Sequence, residues 1–271
     1  MRITSTISLG ALAAAVALSA AGCRKSKKQQ RAALRAALWK ELQPVALKNC
    51  DLVRFGGSND GGYLMCGNLI EGVQSTYSYG IDTEDNWGCE MSKRFGVPVH
   101  QYDCFTPHRP TCEGGQFHYN NECIGAKAET IEGRPFDTLA NQIKRNGDAT
   151  KRLVVKIDIE GAEWESLMAT PPEVLDRIDQ MPMELHGVHE ARSIAVVQKL
   201  KQQFHLVSVH FNNYGCSPHI GPFPSDAYQV LWVNKRLAEV DPSKPAIAPG
   251  APPQAPDATD RPDCQTLAAS R

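Results

Sequence analysis

The stretch Leu153-Val-Val-Lys-Ile-Asp-Ile-Glu-Gly-Ala-Glu163 decides how this chain is read. Its first half is an almost unbroken apolar run, the composition of a strand buried on both faces of a parallel sheet. Its second half supplies three acids, Asp158, Glu160 and Glu163, around a glycine, Gly161, that opens a helix over 162–169. Similar units lie on either side. Apolar, β-rich runs predict strands over 75–81, 97–102, 115–119, 153–159, 180–185, 206–211 and 227–233. Helical patterns predict helices over 31–42, 86–95, 137–145, 162–169, 172–178 and 191–203. Strands that alternate with helices make an α/β domain with a doubly wound, mostly parallel sheet. In such sheets ligands bind beyond the carboxyl ends of the strands, so the polar residues there are the candidate site.

Four strand ends carry such residues. The first is Gly80 with Asp82, a turn in which glycine admits close backbone approach to a ligand before the next helix begins. The second is Asp103, placed directly after the strand over 97–102, where a carboxylate can accept both hydroxyls of a ribose. An ordinary βα turn with Asp103 as its cap is the plainer alternative. The third is Asp158 and Glu160, two apart and therefore on one face of a continuing strand, able to take a proton from a nucleophile or to hold a cation. Glu163 falls in the first helical turn, where an acid complements the dipole. The fourth is Glu184-Leu-His186-Gly-Val-His189, followed one strand later by His210-Phe-Asn-Asn213. Of these His186 is the candidate base, whereas His189 and His219 read as loop histidines. Two imidazoles and two acids near one sheet edge suit a general base or a metal site. No helix-borne histidine pair stands at zinc-ligand spacing, so a dedicated zinc site has little support, and metal-dependent hydrolysis by Asp158, Glu160, His186 and His210 is a third reading of the chain.

Composition bounds the remaining possibilities. The chain has 271 residues and a formal net charge of −1, but residues 1–40 hold eight Lys/Arg and no acid. A basic head is joined to an acidic body, and an acidic body repels a phosphate backbone, which argues against nucleic acid as a partner. Residues 3–22 lack charge and end Leu18-Ser-Ala-Ala-Gly-Cys23, the pattern of an export signal with a lipidated cysteine. A retained membrane anchor with its basic flank in the cytoplasm is the rival reading. If Cys23 of the nine cysteines takes a lipid, eight remain for disulfides in an oxidising compartment. The expected organisation is a signal or anchor over 1–23, a basic linker over 24–40, one domain over 41–240 and a disordered Pro/Ala-rich tail over 241–271.

The segment Lys156-Ile-Asp-Ile-Glu-Gly-Ala-Glu163 resembles the signature of FkbM-type S-adenosylmethionine-dependent methyltransferases and related methyltransferase-like proteins. Tyr77-Ser-Tyr-Gly-Ile81 with Asp82 resembles their cofactor-cradling motif, Phe136-Asp-Thr-Leu139 the segment before the signature, and Glu184-Leu-His186 the motif after it. The likeness spans about residues 49–234. It implies a class I methyltransferase (Rossmann-like) fold, with seven strands of which one is reversed, and methylation of a hydroxyl on a small-molecule or glycan acceptor. By position it assigns Gly80 and Asp82 to the methionine end of S-adenosylmethionine and Asp103 to its ribose. Asp158 and Glu160 are assigned to orienting or deprotonating the acceptor. The chain departs from the family in having no second glycine until Gly88. That departure and the cysteines suit an alternative, a catalytically silent exported relative that acts as a binding module.

Overall fold

The computed structural model describes residues 26–106, 108–251, 257–261 and 264. The chain starts with α1 (Lys27–Glu41) and a hairpin of β1 (Leu52–Phe55) and β2 (Tyr63–Cys66). The central sheet then takes β3 (Ser75–Tyr79), β4 (Pro98–Tyr102) and β5 (Gln116–Asn120), with α2 (Asn86–Phe95) between the first two. A small sheet follows, made of β6 (Cys123–Ile124), β7 (Glu129–Ile131) and β8 (Arg134–Asp137). After α3 (Leu139–Arg145), the central sheet resumes with β9 (Leu153–Ile157), β10 (Ile178–His186), β11 (Phe204–Phe211) and β12 (Ala227–Asn234). Helices α4 (Glu163–Ala169), α5 (Pro172–Leu175) and α6 (Ala191–Gln203) lie between them in sequence.

The seven strands are ordered β11-β12-β10-β9-β3-β4-β5. Only β12 is reversed, running antiparallel to both β10 and β11. This is a mixed α/β domain with a mostly parallel, Rossmann-like central sheet. All seven strands expected from the sequence are the seven strands of this sheet, and α2 and α6 keep their expected bounds.

The reason is visible in β9, where every residue is buried. Leu153, Val155 and Ile157 enter a core with Trp164, Leu167 and Val196, whereas Val154 enters a second core with Phe55, Met65, Trp87 and Met91. A strand with apolar partners on both faces cannot show polar alternation, so its continuous apolar run identified it.

Two boundaries need correction. The segment over 24–40 is not a linker where the structure describes it, because α1 starts at Lys27 behind a capping box of Ser26 and Gln29. Its Leu38 is fully buried, and Trp39 packs on Phe211 and Phe223. Charge on the outer face of α1 masked an apolar inner face. Nor is the segment over 241–271 a disordered tail throughout: Asp257 and Ala258 are buried, and Cys264 is bonded to Cys216. Composition measures how little such a segment can bury unaided, but a crosslink removes much of the entropy that would keep it free. The segment over 1–23, with Cys23, lies outside the described residues.

The remaining disulfides are Cys50–Cys66, Cys89–Cys112 and Cys104–Cys123, so all eight cysteines after Cys23 are paired. Four disulfides fit an oxidising, extracellular-type environment. Among the described residues no helix is long and apolar enough to cross a membrane.

Candidate functional site

The carboxyl ends of β3, β4, β9 and β10 open onto one cleft. Its first chamber, a cavity of about 500 Å³, is lined by Gly80, Asp82 and Asp103 together with Tyr102, Phe105 and Phe136. Its second chamber, about 610 Å³, is lined by Glu184, His186, Asn212 and Tyr214. Asp60, Asp158 and Glu160 border both chambers. Gly80, Asp82, Asp103, Asp158, Glu160 and His186, six of the strand-end residues singled out from the sequence, therefore line one cleft.

Gly80 is irreplaceable on steric grounds. Its φ is +68°, and a Cβ there would lie 1.6 Å from the carbonyl oxygen of Asp158. The strands on either side of it are locked by Gly80 N–H donating to Tyr102 O and Asp158 N–H donating to Tyr79 O. The ammonium of buried Lys156 also donates to the Tyr79 and Gly80 carbonyls. Asp82 follows in a left-handed conformation, φ +49°, with its side chain exposed to the cleft.

Asp103 is a cap as well as a lining residue. Oδ2 accepts from the Ile81 and Asp82 amides, at 3.1 and 3.3 Å, and Oδ1 from those of Phe105 and Thr106, at 2.8 and 3.0 Å. Four backbone donors occupy the four acceptor positions of a carboxylate. The turn-capping role left open by the sequence is thus present, and Asp82 is the neighbouring carboxylate whose oxygens stay largely open. The N-terminus of α2 is likewise capped internally, with Asp85 accepting from Gly88 N–H.

Asp158 is oriented from one side. The Tyr63 hydroxyl donates to Oδ2 at 2.8 Å and Lys156 Nζ lies 3.9 Å from the same oxygen, leaving Oδ1 to face His186. Three carboxylates converge on His186 Nε2: Asp158 Oδ1 at 4.0 Å, Glu160 Oε2 at 3.5 Å and Glu184 Oε1 at 3.6 Å. On the other side of the ring, Glu163 Oε1 stands 3.4 Å from Nδ1. Glu163 is itself fully buried and is held by the Gly161 and His186 amides. Burial disfavours the charged imidazole, but Glu163, Glu184 and Glu160 outweigh it and raise its pKa to about 9. Burial and the charge of Asp158 raise Glu184 to about 8, against the opposing pull of His186.

His210 does not join this group. It is buried, with Nε2 2.8 Å from Asp257 Oδ2 and on no wall of either chamber, which removes it from the metal-dependent reading that grouped it with Asp158, Glu160 and His186. Two residues that shape the site were not singled out from the sequence: Asp60, which lines both chambers, and the buried Tyr63, whose hydroxyl holds Asp158. Both belong to Gly56-Gly-Ser-Asn-Asp60-Gly-Gly-Tyr63, and that density of glycines between two short apolar runs was the available signal.

No family model matches the chain, and no curated protein matches it in sequence.

Proposed function

We propose that the chain is an S-adenosylmethionine-dependent methyltransferase of class I fold, acting on a hydroxyl of a carbohydrate-like acceptor. The observation that carries this reading is the first chamber. It lies at the switch point between β3 and β9, where the chain winds off in opposite directions, the place at which open α/β sheets bind nucleotide-like ligands. The reversed β12 between β10 and β11 agrees with the strand arrangement that the resemblance implies.

The residues present fit the cofactor. Tyr102, Phe105 and Phe136 offer flat apolar surface to a purine, Asp82 offers a carboxylate to ribose hydroxyls, and Gly80 lets backbone approach. The cleft is acidic, with Asp60, Asp82, Asp158 and Glu160 along it, which suits a cationic sulfonium. When bound, S-adenosylmethionine supplies an electrophilic methyl group. The residues of the chain supply alignment and proton handling. Tyr63 and Lys156 set the Asp158 carboxylate at the junction of the two chambers. Asp158 with Glu160 orients the acceptor hydroxyl there, and Asp158 takes its proton as the oxygen–methyl bond forms and the sulfur–methyl bond breaks, with the His186 imidazole facing the negative charge that grows on that oxygen.

Calorimetry tests the binding step. Titration of the disulfide-intact chain with S-adenosylmethionine or its demethylated product is expected to give saturable heat, weakened by Asp82→Asn. Asp158→Asn is expected to keep that heat and lose methyl transfer to hydroxylated sugars. Absence of heat from both ligands overturns the reading. A second reading, a binding module without transfer, draws on the four disulfides, which fit a compartment other than the cytosol where this cofactor is made. Cofactor heat accompanied by transfer to a hydroxylated acceptor rules it out.

A further inference from the structure

The second chamber contains a donor set that orienting an acceptor does not by itself explain. One oxygen each from Asp158 and Glu160 and one ring nitrogen of His186 lie within 4.8 Å of one another. Two ligands about 2.1 Å from a shared ion are separated by about 3 Å when adjacent and about 4 Å when opposite. The 3.5 to 4.0 Å separations around Nε2 are therefore those of groups that can close on one ion with small side-chain movement.

Two independent features point to a ligand at this place. Glu184 lines the same chamber and is only 4 % exposed, yet its Oε2 has no hydrogen-bond partner. Leaving a buried carboxylate oxygen unpartnered is costly, so such an atom marks a missing partner. Behind the ring, Glu163 is pinned by two amides and stands 3.4 Å from the buried Nδ1, which makes no hydrogen bond at that separation and needs only a small ring rotation to make one. A carboxylate backing the far nitrogen of a histidine is the usual outer shell of a metal-bound imidazole, because it fixes ring orientation and raises ligand basicity. Tyr63 does the corresponding work for Asp158 by occupying Oδ2 and turning Oδ1 inward.

We propose that Asp158, Glu160 and His186 bind a divalent metal ion, with Glu184 as a further oxygen donor. Carboxylate oxygens with a single imidazole suit Mn²⁺ better than a thiolate-seeking or all-oxygen ion. Under the methyltransferase reading, on which this further role rests, the ion's open positions face the acceptor chamber and hold two oxygens of a vicinal diol.

Mn²⁺ itself is the probe. The full chain, with disulfides formed, is stripped with chelator, exchanged into chelator-free buffer and titrated with Mn²⁺ while free ion is followed by electron paramagnetic resonance. One ion per chain is expected. His186→Ala and Asp158→Asn should abolish the site, and Glu163→Gln should weaken it by about 10- to 100-fold. Glu160 is 87 % exposed, so Glu160→Gln should leave the fold intact and still weaken binding by at least about tenfold. Glu173→Gln, an acid on α5, should change nothing. Absence of a stoichiometric site, or a site undiminished in Glu160→Gln and His186→Ala, overturns the proposal. Calorimetry with the demethylated cofactor in the presence of chelator separates the two readings. Cofactor heat without a Mn²⁺ site defeats the metal alone, and a Mn²⁺ site without cofactor heat defeats the methyltransferase reading alone.

Discussion

Gly80 and Asp158 meet backbone to backbone at the ends of β3 and β9, so closely that a Cβ on Gly80 would lie 1.6 Å from the Asp158 carbonyl oxygen. Neither partner can yield, because the clash involves main chain and because φ at Gly80 is +68°. Gly80→Ala is therefore expected to destabilise the fold by more than about 3 kcal/mol, the scale of forced overpacking combined with backbone strain. Urea midpoints of the variant and the parent chain check this. An unshifted midpoint would mean that the two strand ends are free to part.

The Tyr63 hydroxyl reaches Asp158 Oδ2 across 95 residues of sequence. Tyr63→Phe keeps the ring and removes only the donor, so the fold should lose about 1 kcal/mol. If the chain acts as proposed, methyl transfer should fall by about 10- to 100-fold through misplacement of the carboxylate, with cofactor affinity retained. Equal turnover in the variant would show that Lys156 alone positions Asp158.

Cys104–Cys123 ties the end of β4 to β6 at the wall of the first chamber. Replacing both cysteines by serine opens a loop of 19 residues in the unfolded chain, a loss of about 3 kcal/mol. Thermal melts of the double variant should show the loss, and calorimetry should show weakened ligand binding because the wall is no longer anchored.

His100 gives the stability a pH dependence. It lies between Asp148, 3.3 Å from Nε2, and His118, stacked at 5.2 Å, and burial lowers its pKa to about 4 against the pull of Asp148. Between pH 6.5 and 4 the unfolded chain takes up this proton and the folded chain does not. Stability from this group is thus complete above 6.5 and lost as pH falls through that window. Asp148, held low by Lys151, Ser75 and Tyr77 despite its burial, adds a loss in the same direction at lower pH. His100→Gln should flatten the stability profile between pH 6.5 and 4, as measured by denaturant melts across that range.

Asp257 closes the C-terminal segment onto the sheet. Its fully buried carboxylate meets His210 at 2.8 Å, Gln229 at 3.2 Å and Arg54 at 3.8 Å. Asp257→Ala strands those partners and should cost about 3 kcal/mol. Limited proteolysis should then cut beyond Val240 while the central sheet stays intact.

Much of this architecture is legible in the residue pattern. The seven strands are short apolar runs between turn residues, and burial on both faces makes that signal strong in β9 and β10. Asp82, Asp103, Asp158, Glu160 and His186 are found by asking only which polar residues end a strand, and Gly80 by asking which glycine opens the turn after one. Tyr63 and Asp60 escape that question because they arrive from a hairpin outside the central sheet. The anchoring of α1 and of Asp257 escapes for a similar reason: each depends on a distant partner, Phe223 for Trp39 and Cys216 for Cys264.

The sequence by itself determined the strand and helix alternation, the acidic character of the body and the set of strand-end residues, because these follow from local periodicity and composition. Only the tertiary structure decided which cysteines pair, that Asp103 is occupied by four amides, and that three carboxylates surround one nitrogen of His186. Such arrangements depend on distances between segments remote along the chain, and local patterns carry no information about those distances.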